Sequence, residues 1–168
     1  MNVLALDPSL SSTGYSIIDS KTKKILVKGK IQTKRTTINI NCTDDRIQEI
    51  IRFLEQYNNM IDVIILEDGF IGKGRQSSMA ICELRGALIA YYKYNKYAVI
   101  HEPPSMIRKN FGLKGNAKKE EVAQEVLKYY PNLESEIGVY SDKNNKDKTS
   151  DIYDSISIAL SYILNIKE

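Results

Sequence analysis

Histidine and cysteine are almost absent from this sequence: His101 stands alone, and Cys42 and Cys82 are the two cysteines. A serine-type triad therefore has one candidate base, and a histidine-rich metal site is excluded. The two cysteines fit no zinc or redox spacing, so they are expected to be reduced, buried thiols. Long apolar runs are absent as well. The best candidate, Met79 to Tyr92, is interrupted by Glu83 and Arg85 and falls short of the roughly 18 residues of a membrane helix. No basic region or cleavage site precedes the strand-like Asn2-Val3-Leu4-Ala5-Leu6, which reads as no signal peptide and a cytoplasmic protein. Repeats, linkers and low-complexity tracts are missing too. If the chain is an enzyme, carboxylates carry its chemistry.

What is present describes a soluble globule. The 168 residues are 42% hydrophobic and 27% charged, which excludes a disordered tail, a collagen-like chain and a coiled coil. A chain of this length buries roughly 70% of its unfolded surface and needs no disulfide or zinc staple, so residues 1–168 are read as one domain. The net charge of +3 is mild, but its distribution is uneven: Lys21 to Arg35 holds seven basic residues and no acid, and Arg108 to Lys119 holds five and no acid. One such run is normally a solvated face. Two of them tilt the reading toward a polyanion partner such as nucleic acid.

Periodicity supplies the elements. Asn2 to Leu6 reads as a buried strand, Thr13 to Ile18 as a second, and Lys24 to Gln32 as a third paired by a hairpin. Ile47, Ile50, Ile51 and Leu54 recur at helical spacing behind Thr43-Asp44. Val63 to Leu66 is a fourth strand and Tyr97 to Ile100 a fifth. Helices are predicted over Ser77 to Tyr94, Ala117 to Tyr130, and from Thr149 or Ser150 to Ile166, with 131–148 as a loop. The order β-β-β-α-β-α-β-α-α implies an α/β fold: a mixed five-stranded sheet, with a three-strand antiparallel meander plus two parallel strands, and helices on both faces.

Acids close several of these elements. Asp7 ends the first strand, Glu67 ends the fourth, and Asp151 and Asp154 share a face in the first turn of the last helix. Each has a plain reading in turn chemistry, solvation or the helix dipole. Together they have a sharper one. Paired central strands would set Asp7 beside Glu67, and the last helix could bring Asp151 and Asp154 over them. Like charges about 4 Å apart repel by about 4 kcal/mol at an effective dielectric near 20, so four gathered carboxylates call for cations. Hard oxygen ligands select magnesium or manganese, and two ions roughly 4 Å apart suit in-line displacement at a phosphodiester.

Five segments carry a family likeness. They are Leu6-Asp7-Pro8-Ser9 with Thr13-Gly14-Tyr15; Ile65-Leu66-Glu67-Asp68-Gly69-Phe70; Glu83-Leu84-Arg85-Gly86-Ala87; Pro104 to Lys109 running on through Lys114 to Val122; and Asp151-Ile152-Tyr153-Asp154-Ser155 to Ala159. In this order they resemble a RuvC-type Holliday-junction resolvase of the RNase H-like nuclease superfamily. The resemblance implies that Asp7, Glu67, Asp151 and Asp154 are metal-binding catalytic acids. Lys119 matches a basic residue near the scissile phosphate, and Arg108 a second basic position. Phe70 matches an aromatic that wedges at the branch point. Lys73, Arg75, Lys109, Lys114 and Lys118 are further candidates for phosphate contact. The family reading implies two magnesium ions per site with manganese as a substitute, 5′-phosphate and 3′-hydroxyl products, and a homodimer matched to a two-fold junction. The helix over Ser77 to Tyr94 is the candidate protomer contact, a buried core helix being its rival.

The chain also departs from the family pattern. Asp68 adds a charge beside Glu67, Ile152 and Ser155 replace small alanines, and an Ile-, Lys- and Asn-rich composition points to a phage-encoded branch, in which forks and other branched DNA become substrates. Three rival functions share parts of the pattern. A non-cleaving branched-DNA module of the same fold gains nothing from four acids near phosphates. A sugar-kinase-like phosphate loop needs a second domain. A hybrid-cutting nuclease fits the segment Arg108 to Val122 less well.

Overall fold

The computed structural model describes residues 1–34, 42–68, 75–141 and 148–166, with the backbone alone for 75–77. Five strands, β1 (Asn2–Asp7), β2 (Thr13–Asp19), β3 (Ile25–Ile31), β4 (Val63–Glu67) and β5 (Ala98–Glu102), form one sheet in the order β3-β2-β1-β4-β5. The meander β1-β2-β3 is antiparallel, whereas β1 pairs with β4 and β4 with β5 in parallel. This is the expected mixed sheet.

Alternation along the central strands explains why helices cover both faces. Val3 and Ala5 of β1, with Val63 and Ile65 of β4, enter one core. Leu4 and Leu6, with Ile64 and Leu66, enter the other. Both sides of a central strand are apolar, so neither can face water. The second core is closed by α1 (Cys42–Glu55), through Ile47, Ile50 and Leu54, and by α2 (Arg75–Tyr94), through Leu84, Leu88 and Tyr92. Asp44 and Asp45 in the first turn of α1 and Arg52 in its last complement the helix dipole. The first core is closed by α3 (Pro104–Asn110), α4 (Lys119–Tyr129), α5 (Leu133–Ile137) and α6 (Ser150–Ile163).

α6 lies across β1 and β2 and is buried nearly all round. A helix so placed should be apolar throughout, yet it carries several serines. Their hydroxyls are satisfied within the helix: Ser155 donates to the Ile152 carbonyl at 2.9 Å, Ser157 to Asp154 and Ser161 to Ile158, each at 2.8 Å. Ser155 thus takes an alanine-like place without burying an unpaired group.

Several expectations need correction. α3 and α5 were not expected, because runs of seven and five residues are too short for a helical period to show. α4 starts at Lys119 rather than Ala117, β5 runs from Ala98 to Glu102 rather than from Tyr97 to Ile100, and α6 stops at Ile163. The cysteines are free but not buried: Cys42 is half-buried and Cys82 exposed. The stripe Leu84, Leu88 and Tyr92 turns α2 inward and leaves Cys82 on its outer face. Among the described residues no helix is long and apolar enough to cross a membrane.

Candidate active site

Register places the first two acids. Leu6 pairs with Leu66 across β1 and β4, so Asp7 and Glu67 are the next residues on adjacent parallel strands. They emerge side by side at the same end of the sheet, where both apolar runs stop. The third partner comes from a close approach. Asp7 faces Gly14 on β2, and the main chain of Asp151 sits directly on Gly14: a Cβ at that position would stand 1.9 Å from the Asp151 carbonyl oxygen. Only glycine admits the N-terminal turn of α6 here. That contact sets Asp151 and Asp154, 2% and 9% exposed, against the end of the sheet.

The electrostatics couple these acids to one another. Asp7 is pushed well above the usual carboxylate range, first by burial, then by Asp154 and Glu67, with Asp151 adding less and Lys119 opposing. Glu67 is pushed up to about 7, chiefly by burial and then by Asp154, against the pull of Arg108 and Lys119. Asp154 is raised by burial although Lys119 holds it down. Burial and like charge both disfavour the ionised forms.

Two lysines answer this charge. Lys119 Nζ lies 2.7 Å from Asp154 Oδ2, and Lys148 Nζ lies 2.8 Å from Asp151 Oδ1. The other Asp151 oxygen, Oδ2, is buried without a hydrogen-bond partner. As the side chains stand, no three acid, histidine or cysteine groups among the described residues converge to hold a metal ion. The donor set nonetheless fits a hard divalent cation. Its ligands are all carboxylate oxygens, three of its carboxyls are raised, and one buried oxygen lacks a donor.

The other anticipated residues divide. Arg108 is half-buried and acts on Glu67, and its guanidinium donates to the Gly115 carbonyl at 3.4 Å. Lys109, Lys114 and Lys118 are exposed on α3 and the segment leading into α4. Phe70 and Lys73 lie outside the described residues, and so does the side chain of Arg75. Asp68 turns to partners of its own: it accepts from Arg85 of α2 and lies 3.1 Å from His101 Nδ1 on β5. Lys148 was not anticipated. Its place three residues before Asp151 was a visible signal, but the contact depends on the hydrogen bonds that join Thr149 and Ser150 to Ser141.

A family model described as crossover junction endodeoxyribonuclease RuvC matches residues 3–162. The crossover junction endodeoxyribonuclease RuvC of Ehrlichia canis is 31% identical over 161 residues, covering 95% of this chain and 94% of that protein. Its counterpart from Ehrlichia chaffeensis is 30% identical over 172 residues, 99% of both chains. Among solved structures, Thermus thermophilus RuvC in complex with Holliday junction substrate superimposes with a TM-score of 0.70 at 17% identity, over 98% of this chain and 94% of that one. The fowlpox virus resolvase with its substrate Holliday junction gives a TM-score of 0.60 at 20% identity, over 97% of both chains. These two likenesses show the fold.

Proposed function

The chain belongs to the RuvC family of crossover junction endodeoxyribonucleases, and from that premise we propose that it cleaves four-way DNA junctions by phosphodiester hydrolysis, with Asp7, Glu67, Asp151 and Asp154 as its metal-holding acids. The observation that supports the assignment is that β1 and β4 end side by side with Asp7 and Glu67, while Gly14, paired with Asp7, admits the start of α6 that carries Asp151 and Asp154.

The family is metal-dependent, and magnesium, with manganese as a substitute and two ions per site, is the proposed cofactor. Bound to these acids, the ions would supply a nucleophile from water at neutral pH and neutralise charge at the departing oxygen. The chain's own groups do the rest. Arg108 and Lys119 face the acids from α3 and α4 and offer positive charge to a scissile phosphate, which four carboxylates alone would repel. Lys109, Lys114 and Lys118 extend that surface and hold the backbone without reading sequence. Attack by water on phosphorus, with departure of the 3′ oxygen, leaves a 5′-phosphate and a 3′-hydroxyl.

The proposal includes a homodimer acting on the two-fold junction. Its support is the outer face of α2, where Met79, Cys82, Gly86 and Ala90 are exposed and a side chain at Gly86 would meet nothing within 4 Å. The test is cleavage in magnesium of a labelled four-way junction, a fork and a linear duplex, with Asp7→Asn alongside. Paired symmetric nicks in the junction are expected, with a loss of at least about a hundredfold in the variant. Normal cutting by Asp7→Asn would sink the site assignment, and equal cutting of the fork would broaden the substrate to branched DNA.

A further inference from the structure

Asp151 holds an unevenly balanced charge. Its side chain is 4% exposed. Oδ1 faces Lys148 Nζ at 2.8 Å and accepts a long hydrogen bond from the Ser150 hydroxyl at 3.4 Å, while Oδ2 is buried with no hydrogen-bond partner. A lysine at this position does nothing for α6 itself. It precedes the helix, at the positive end of the dipole, where a cation is disfavoured. Its place is explained by the carboxylate it meets.

Lys148 is also delivered to that carboxylate by a fixed backbone. Its carbonyl accepts from Lys30 Nζ of β3 at 2.8 Å. The Thr149 hydroxyl donates to the Val139 carbonyl at 2.9 Å and accepts from the Ser141 amide at 2.8 Å. The Thr149 and Ser150 amides donate to the Ser141 carbonyl at 3.1 and 3.2 Å. The ammonium is therefore tethered at both its main chain and its tip, unlike a solvated surface lysine.

We propose that Lys148 is a resident counter-ion of Asp151 that a divalent cation displaces, so that this lysine sets how tightly the chain takes its metal. The inference rests on Asp151 being a metal ligand, as proposed above. An ammonium brings one charge and reaches one oxygen. A divalent cation brings two charges and can engage the oxygen that lacks a donor. In the metal-free protein Lys148 keeps a buried carboxylate from standing uncompensated. When metal arrives, the same contact competes with it. Binding and stability are linked through one equilibrium, so the effect of the lysine on each must match.

The experiment titrates manganese into the metal-stripped full-length chain and reads the free ion by electron paramagnetic resonance. The chains compared are the natural one, Lys148→Met, Lys148→Gln and Asp151→Asn; the glutamine variant retains a hydrogen-bond donor and guards against a methionine variant that fails to fold. Both Lys148 variants should bind manganese about tenfold more tightly. Thermal unfolding is measured in parallel. In chelator the Lys148 variants should melt below the natural chain, and in saturating manganese that gap should close. Unchanged affinity would overturn the proposal, and so would an equal melting deficit with and without manganese, which would mean that the lysine stays on Asp151. If Asp151→Asn takes manganese as well as the natural chain does, the ligand assignment falls, and this inference with it.

Discussion

Glu67, pushed up to about 7 from 4.5 by burial and by Asp154, makes the stability of the metal-free protein depend on pH with a definite sign. Its folded pKa lies above its unfolded one, so the folded state holds the extra proton between those values. That contribution is complete below about 4.5 and is lost as pH rises through about 7. Asp7 and Asp154 are shifted the same way. Calorimetry in chelator should therefore show the melting temperature falling from about pH 5 to about pH 8. Magnesium should flatten or reverse that slope, because it binds the ionised acids. A flat profile in chelator would contradict the gathering of these carboxyls. Gly14 offers a second test at this scale. The Asp151 backbone leaves no space for a Cβ, so Gly14→Ala must push α6 outward. A loss of about 3 kcal/mol by urea unfolding is expected, together with weakened manganese binding.

At the scale of elements, α2 carries the prediction. Its inner stripe is fixed by packing, while its outer face is open around Gly86. Gly86→Arg should leave the folded protomer intact and abolish self-association, read by light scattering; paired junction cuts should then become single nicks. A monomeric natural chain would remove α2 from that role. Elements were legible in the sequence where their period was long enough. β1 and β4 stood out as apolar runs closed by acids, and α1 as a stripe of isoleucine and leucine. The grouping of Asp7, Glu67 and Asp151 was legible because each sits at an element's end, and Asp154 follows Asp151 at helical spacing, just past the first turn in which it was expected. α3 and α5 could not, since a helix of one or two turns shows no periodicity and is set by what it packs against. Lys148 escaped for a related reason: its role depends on Lys30, Val139 and Ser141, partners that only the fold assembles. The burial expected for Cys82 failed because α2 is two-faced, with one side left for solvent or a partner.

For the whole molecule, the net charge of +3 is too small to drive DNA binding by itself. On the proposed reading, affinity comes from local basic surface, with Arg108, Lys109, Lys114, Lys118 and Lys119 beside the site. Binding of a junction in chelator, where cleavage is not expected, should weaken by about a hundredfold or more between roughly 50 and 200 mM salt. Lys114→Ala and Lys118→Ala should each reduce the slope of log affinity against log salt by about 1. A salt-independent affinity would mean that contacts other than phosphate neutralisation dominate.

The junction of Gly14 with Asp151 has a further consequence, for the life of the chain during synthesis. Strands β1, β2 and β4 leave the ribosome early and can begin to form the sheet. Asp151 and Asp154 follow Glu67 only after α2 to α5 have been made. A nascent chain that has not reached α6, or one cut by proteolysis ahead of it, holds Asp7 and Glu67 without Asp151 and Asp154 and should not cleave DNA. On the proposed assignment, cleavage therefore waits until α6 has been made and has docked on Gly14, so partial chains lacking it should leave DNA uncut.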